Sequence, residues 1–128
     1  MNIQDILKNK GILDEKSAEK RKSFEVASLK DIGDGKITIK SIDDATYNMI
    51  EKMSKSNNEL NINAVYQACI EPNLKDKELQ TGLDCKTNPV GVVRKLFSPA
   101  EVEMIATEIG KISGMHHEPG LIKEIKNS

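Results

Sequence analysis

The stretch Leu60–Gln80, LNINAVYQACIEPNLKDKELQ, constrains the fold more than any other. Ile62, Val65, Tyr66, Cys69 and Ile70 recur at three- and four-residue steps and so share one face of a helix. Asn61 is placed to cap it, since an Asn side chain accepts a hydrogen bond from an amide of the first turn. Pro72 ends the pattern. It disfavours helical geometry at Glu71 and has no amide to donate. Asn73–Asp76 then reads as a polar turn, and Lys77–Leu79 begins a second short apolar cluster. A helix, an abrupt stop and a return segment are expected here.

Around this unit the remaining elements follow from local pattern. Ile3, Ile6 and Leu7 share a helical face in Asn2–Lys10, with Asn2 as its cap and Gly11 as its interruption. Asp14–Lys22, DEKSAEKRK, holds one small apolar residue and cannot bury enough surface to offset its ordering entropy. It is expected as a solvated linker or a fraying helix end. Residues 1–22 therefore read as an amphipathic arm with a charged linker, and residues 23–128 as a single domain.

Ser23–Leu29 and Lys36–Ser41 alternate as two strands, joined by Asp31–Gly35. Ser41 or Asp43 can cap a helix running to about Lys55, with Thr46, Met49, Ile50 and Met53 inward and Ile42 and Tyr47 at its margins. Ser54–Glu59 reads as a polar break. After a loop at Gln80–Thr87, Asn88 is placed as a cap and Pro89 as the first helical residue. Val90, Val93, Leu96 and Phe97 are then the apolar side. Ser98-Pro99-Ala100-Glu101 is a capping box leading into the stripe Val102, Ile105, Ala106, Ile109 and Ile112, with Gly114 as the terminator. A last helix is expected over Pro119–Lys126. The fold class is α+β and mostly α: one antiparallel hairpin packed with about five helices. Since 4 of 128 residues are aromatic, its core must be aliphatic.

The balance of 19 basic and 20 acidic residues argues against nucleic acid as a partner, because phosphate binding needs concentrated positive charge. Lys20-Arg21-Lys22 is diluted by Asp14, Glu15 and Glu19. No segment has the ~20 apolar residues that a membrane-spanning helix needs. The start of the chain lacks the apolar run of a signal peptide. Two cysteines sixteen residues apart make no disulfide framework. Asp31–Gly35 lacks the ligand spacing of a calcium loop and reads as a turn.

His116 and His117 are adjacent and have no third ligand at a zinc spacing. Cys69, on an apolar helix face, reads as a buried, inert thiol rather than a nucleophile. No catalytic centre, metal or cofactor is expected.

The segment Ala68-Cys69-Ile70-Glu71-Pro72-Asn73-Leu74-Lys75-Asp76, followed by Glu78-Leu79-Gln80, resembles the XkdN-like tail assembly chaperones of bacteriophages and phage-derived particles. Asn88-Pro89-Val90 and Lys95–Glu101 continue the likeness, which spans roughly Lys36 to Gly114. Pro99-Ala100-Glu101 stands where the family has Pro-Gly-Glu, and the family's aromatic-glycine pair is missing near Leu83-Asp84. The resemblance assigns structural roles to Cys69, Pro72, Leu74, Leu79, Pro89, Pro99, Glu101 and Gly114.

It implies a chaperone of the host cytoplasm that binds the tape measure protein, keeps it soluble and recruits tail tube subunits. Such a factor is absent from the finished tail. A longer form made by frameshifting near Lys126-Asn127 is also implied. Ile3, Ile6 and Leu7, or the apolar margin at Leu96 and Phe97, are the expected partner contacts. The same apolar arm face could instead dock on its own domain, and self-association is left open. The rival readings are a tail-completion or connector subunit, and a small enzyme using Cys69 with a histidine.

Overall fold

The computed structural model describes residues 1–125. The elements run α1 (Ile3–Lys8), α2 (Lys10–Ser17), β1 (Arg21–Glu25), a 3-10 turn (Ala27–Leu29), β2 (Lys36–Lys40) and α3 (Asp44–Met53). They continue with α4 (Asn57–Ala68), β3 (Cys69–Glu71), α5 (Lys77–Gly82), α6 (Gly91–Leu96) and α7 (Pro99–Ile112). The class is the expected mostly helical α+β. Among the described residues there are seven α-helices rather than about five, and the hairpin gains a third strand.

The sheet is antiparallel, in the order β1-β2-β3. Ile37 and Ile39 point from β2 into the core, at 2% and 0% exposure, while Lys36, Thr38 and Lys40 alternate to the other face. β1 pairs in register from Arg21↔Lys40 to Glu25↔Lys36, and Ser23 Oγ lies 2.8 Å from Thr38 Oγ1 across the ladder. The expected first strand, Ser23–Leu29, thus begins and ends earlier, because Ala27–Leu29 winds into a 3-10 turn. Gly35 closes the loop: its carbonyl accepts from the Val26 amide at 2.8 Å.

α4 packs on α7 and also touches α3, α6 and the sheet. Ile62, Val65 and Ala68 face Val102, Ile105 and Ile109 in one aliphatic core. Each fully buried Val or Ile side chain contributes about 1.5–3 kcal/mol, so a core that is aliphatic but for Phe97 suffices. α4 starts at Asn57, not after Asn61, because the Ser56 hydroxyl accepts from the Glu59 amide at 3.1 Å. It also ends earlier than its apolar pattern. Cys69 turns extended, and Cys69–Glu71 pairs with β2 (Ile39↔Cys69, Thr38↔Glu71). Pro72, which follows a cis peptide bond, excludes helix at Glu71, and β2 offers an open edge to the extended residues.

Other corrections are local. α3 is capped by Asp43 and buries Ile50, but Met49 and Met53, expected inward, are 46% and 48% exposed. The α3–α4 break is closed by a part-buried chain: Asn63 Nδ2 donates to Ser54 Oγ at 2.9 Å, and Ser54 Oγ donates to the Ile50 carbonyl. Asn88 and Pro89 form a turn ahead of α6 rather than its cap and first residue. The amides of Gly91, Val92 and Val93 bond to carbonyls three residues back, so Asn88–Val90 is a tight turn and the α-helix begins only at Gly91. Of the expected last helix, residues 119–122 form turns and bends and 123–125 have no regular structure, and Lys126 lies outside the described residues, as does Asn127.

α7 is as expected at both ends. Ser98 and Glu101 make the reciprocal capping box, with Pro99 at the first position. At the other end Gly114 takes φ +71. The Met115 amide reaches the Gly110 carbonyl at 2.9 Å and the Gly114 amide reaches the Lys111 carbonyl at 3.2 Å, a Schellman ending. Glu101 also accepts from Ser28 Oγ at 2.6 Å, which ties the 3-10 turn to the helix start. This bond first, and the Ser98 amide second, hold the Glu101 carboxyl below its ordinary value.

Two predictions follow from these contacts. Gly35 sits at φ +67, and a Cβ there would stand 2.8 Å from the Lys30 Cα. Gly35→Ala should cost about 1–3 kcal/mol in chemical denaturation, through backbone strain and clash together. For Glu101, the lowered folded value means that its stabilisation is full above the unfolded carboxyl range, near ~4.3, and is lost as pH falls through the folded value. The stability gap between wild type and Glu101→Gln, present at neutral pH, should therefore close in acid. A gap that persists there would contradict this assignment.

Candidate interaction surface

α1 and α2 bury no residue. α1 is nonetheless well started: Asn2 and Asp5 exchange side-chain and backbone bonds at 2.9 Å in a capping box. The expected interruption at Gly11 falls instead at Asn9, which ends α1 and precedes α2. Asn9 Nδ2 donates to the Asp5 carbonyl at 2.7 Å, and its backbone leaves the helical region. Gly11 lies inside α2, at a propensity cost of about 1 kcal/mol.

The charged run Asp14–Lys22, expected as a linker or a fraying helix end, closes α2 through Ser17, connects over Ala18–Lys20 and enters β1 at Arg21. All of it is exposed. Ile3, Ile6 and Leu7 are 72%, 37% and 55% exposed, and Ile12 and Leu13 in α2 add 64% and 45%. The sequence reading placed the first three on a shared face but did not assign Ile12 and Leu13 to it.

Leu96 and Phe97, the other expected contact, line one cleft but differ in burial. Phe97 is 3% exposed and belongs to the core. The chain turns extended there, at φ −125 and ψ 140, and carries the ring inward. Leu96 is half-buried and lines a cleft of about 290 Å³ with Leu29, Ile32, Ile37 and Pro72. A larger cleft, about 710 Å³, lies between the α2–β1 junction and the end of α7. It mixes lysines (Lys20, Lys40, Lys111) with carboxylates (Asp43, Asp44), so it has no strong preference for one sign of charge.

The motif residues hold the scaffold together. Leu74 is fully buried and Leu79 packs against the core. The buried Gln80 side-chain amide donates to the Leu74 carbonyl and to the Tyr66 hydroxyl, both at 3.1 Å. This bond pair fastens the turn after Pro72 onto α4. Lys75 reinforces it from outside, donating to Gln67 Oε1 at 2.6 Å with its ammonium 5.8 Å from the Tyr66 ring centre. Pro72 and Pro99 are exposed, so their roles are in backbone direction; Pro89 is half-buried.

Cys69 is 3% exposed. Burial pushes its thiol up to about 11, so it stays protonated at neutral pH. Its Sγ donates weakly to the Pro72 carbonyl at 3.5 Å. His116 lies against Gly110 and His117 is exposed. Among the described residues no group of three histidine, cysteine or carboxylate side chains is placed to hold a metal. No helix among them is long and apolar enough to cross a membrane.

Comparison with curated proteins and with solved structures gives no match. The family model of the phage XkdN-like tail assembly chaperone protein matches residues 6–126, a wider span than the Lys36–Gly114 likeness seen in the sequence. It takes in part of α1, all of α2, the whole sheet and the α4–α7 scaffold. The chain belongs to the XkdN-like family of phage tail assembly chaperones.

Proposed function

We propose that this chaperone works by covering apolar helix faces of the tape measure protein in the host cytoplasm, and that α1 and α2 make the contact. The observation that carries the reading is the pair of N-terminal helices that bury nothing and expose Ile3, Leu7 and Ile12 by more than half. A rod destined for the lumen of a tube has apolar faces that would aggregate before assembly, and an amphipathic helix is suited to cover them. Covering must be reversible, which favours several modest interfaces over one tight one. The two short helices, 6 and 8 residues long, are of that scale.

In this reading the rest of the chain is a scaffold for the arm. Recruitment of tail tube subunits and a longer frameshifted form belong to the same reading, as does departure before the tail is finished. The role is binding, with no catalytic step: the one buried thiol of the family segment, Cys69, is held protonated.

The test is co-expression with the tape measure protein of the same gene cluster. Because the arm buries no residue, replacing Ile3, Leu7 and Ile12 together by Ser should change folding stability by no more than ~0.5 kcal/mol. The same variant should lose most of the soluble tape measure protein and most of the co-purification. Undiminished solubility and co-purification would overturn the assignment of the contact to the arm.

A further inference from the structure

We propose that two copies of this chain join through β1, pairing edge to edge about a two-fold axis centred on Ser23. Two backbone bonds fix which groups face outward. The Ser41 amide donates to the Lys20 carbonyl at 2.7 Å, and the Val26 amide donates to the Gly35 carbonyl at 2.8 Å. Lys20 and Val26 therefore face β2. Alternation along an antiparallel ladder turns the backbone N–H and C=O of Arg21, Ser23 and Glu25 to the free edge. All three residues are exposed.

The two edges of the sheet differ. β3 is three residues long and runs directly into Pro72, which cannot donate, so that edge is blunted. β1 is five residues long, straight in register and free of proline. Edge charges usually deter pairing. Here their signs favour one partner. Centring the axis on Ser23 sets Arg21 opposite the partner's Glu25, Ser23 opposite the partner's Ser23 and Glu25 opposite the partner's Arg21. All six residues then present their outward backbone groups to one another, as a hydrogen-bonded register requires.

The side chains agree with this register. In one protomer Arg21 lies directly across from Lys40, a like charge, and its carboxylate partner is the exposed Glu19, at 3.0 Å from Nε. The guanidinium has further N–H groups for the partner's Glu25. On the other face Lys22, whose ammonium is 5.2 Å from the centre of its own Phe24 ring, comes opposite the partner's Phe24. The outcome is one continuous six-stranded sheet with the two arms on a common assembly.

The test is sedimentation of the full chain over the micromolar range, with circular dichroism as the check on folding. Wild type should form a concentration-dependent dimer. Arg21→Glu and Glu25→Arg should each weaken it about tenfold, since the two-fold axis counts each repulsion twice. The double variant Arg21→Glu/Glu25→Arg should return to within about threefold of wild type. A chain that stays monomeric would overturn the proposal and leave the edge to a strand of another protein. A dimer indifferent to the single reversals, or one not restored by the double, would overturn it equally. Should a variant fail to fold, amide exchange in wild type decides the matter. The Arg21, Ser23 and Glu25 amides should slow as concentration rises, and unchanged exchange would refute the pairing.

Discussion

The structure depends on the backbone's change from helix to strand at Cys69. Pro72 excludes helical geometry at Glu71, and the residues before it must find other partners for their amides and carbonyls. β2 supplies them on its second edge, so one proline both ends α4 and completes the sheet. The turn that follows is then held by buried contacts. Leu74 enters the core, and the Gln80 amide satisfies the Leu74 carbonyl while reaching Tyr66 on α4. Removing that amide would leave a buried carbonyl without its partner, which costs about 1–3 kcal/mol. The family segment is thus a structural device, and its cysteine is part of the packing.

The second theme is a division of labour along the chain. From β1 to α7 the chain builds one buried, largely aliphatic core, although Ile32, Met49, Met53 and Met104 stay exposed, and among the described residues no buried side-chain nitrogen or oxygen lacks a hydrogen-bond partner. The first seventeen residues do the opposite: they are capped and helical, yet none of them is buried. A capped helix with no tertiary packing is marginal in water, because helices of this length gain most of their stability from a buried face. Exposure of Ile3, Leu7 and Ile12 therefore describes a segment whose apolar face has no partner within the domain. The charged stretch before β1 separates that segment from the core without isolating it, since the Lys20 amide donates to Ser41 Oγ at 2.8 Å.

Much of this was legible in the sequence because the signals were chemical as well as periodic. The capping box at Ser98–Glu101, the stripe from Val102 to Ile112 and the Gly114 ending appear as read, and the second strand of the hairpin does too, while the first is shifted to Arg21–Glu25. What was missed has physical causes. Cys69 and Ile70 fit a helical period, and only the proline and the open edge of β2 outweigh it. Ser56, followed three residues later by Glu59, was a capping signal hidden in a polar break. Met49 and Met53 share a helical face with Ile50, but one-turn periodicity cannot say how far that face is covered. Phe97 looked like a surface margin because sequence does not show that the chain turns extended after α6. The Ser28–Glu101 bond joins residues 73 apart, and no local pattern announces such a contact.

The measurement that bears most directly on the account is hydrogen exchange of the chain, free and in complex with the tape measure protein. In the free chain the amides of residues 1–17 should exchange far faster than those of α4 and α7. In the complex the first group should be protected, while α4 and α7 stay as they were. Protection confined to the Leu96 cleft, or absent altogether, would contradict the claim that an uncovered arm does the binding and the core only carries it.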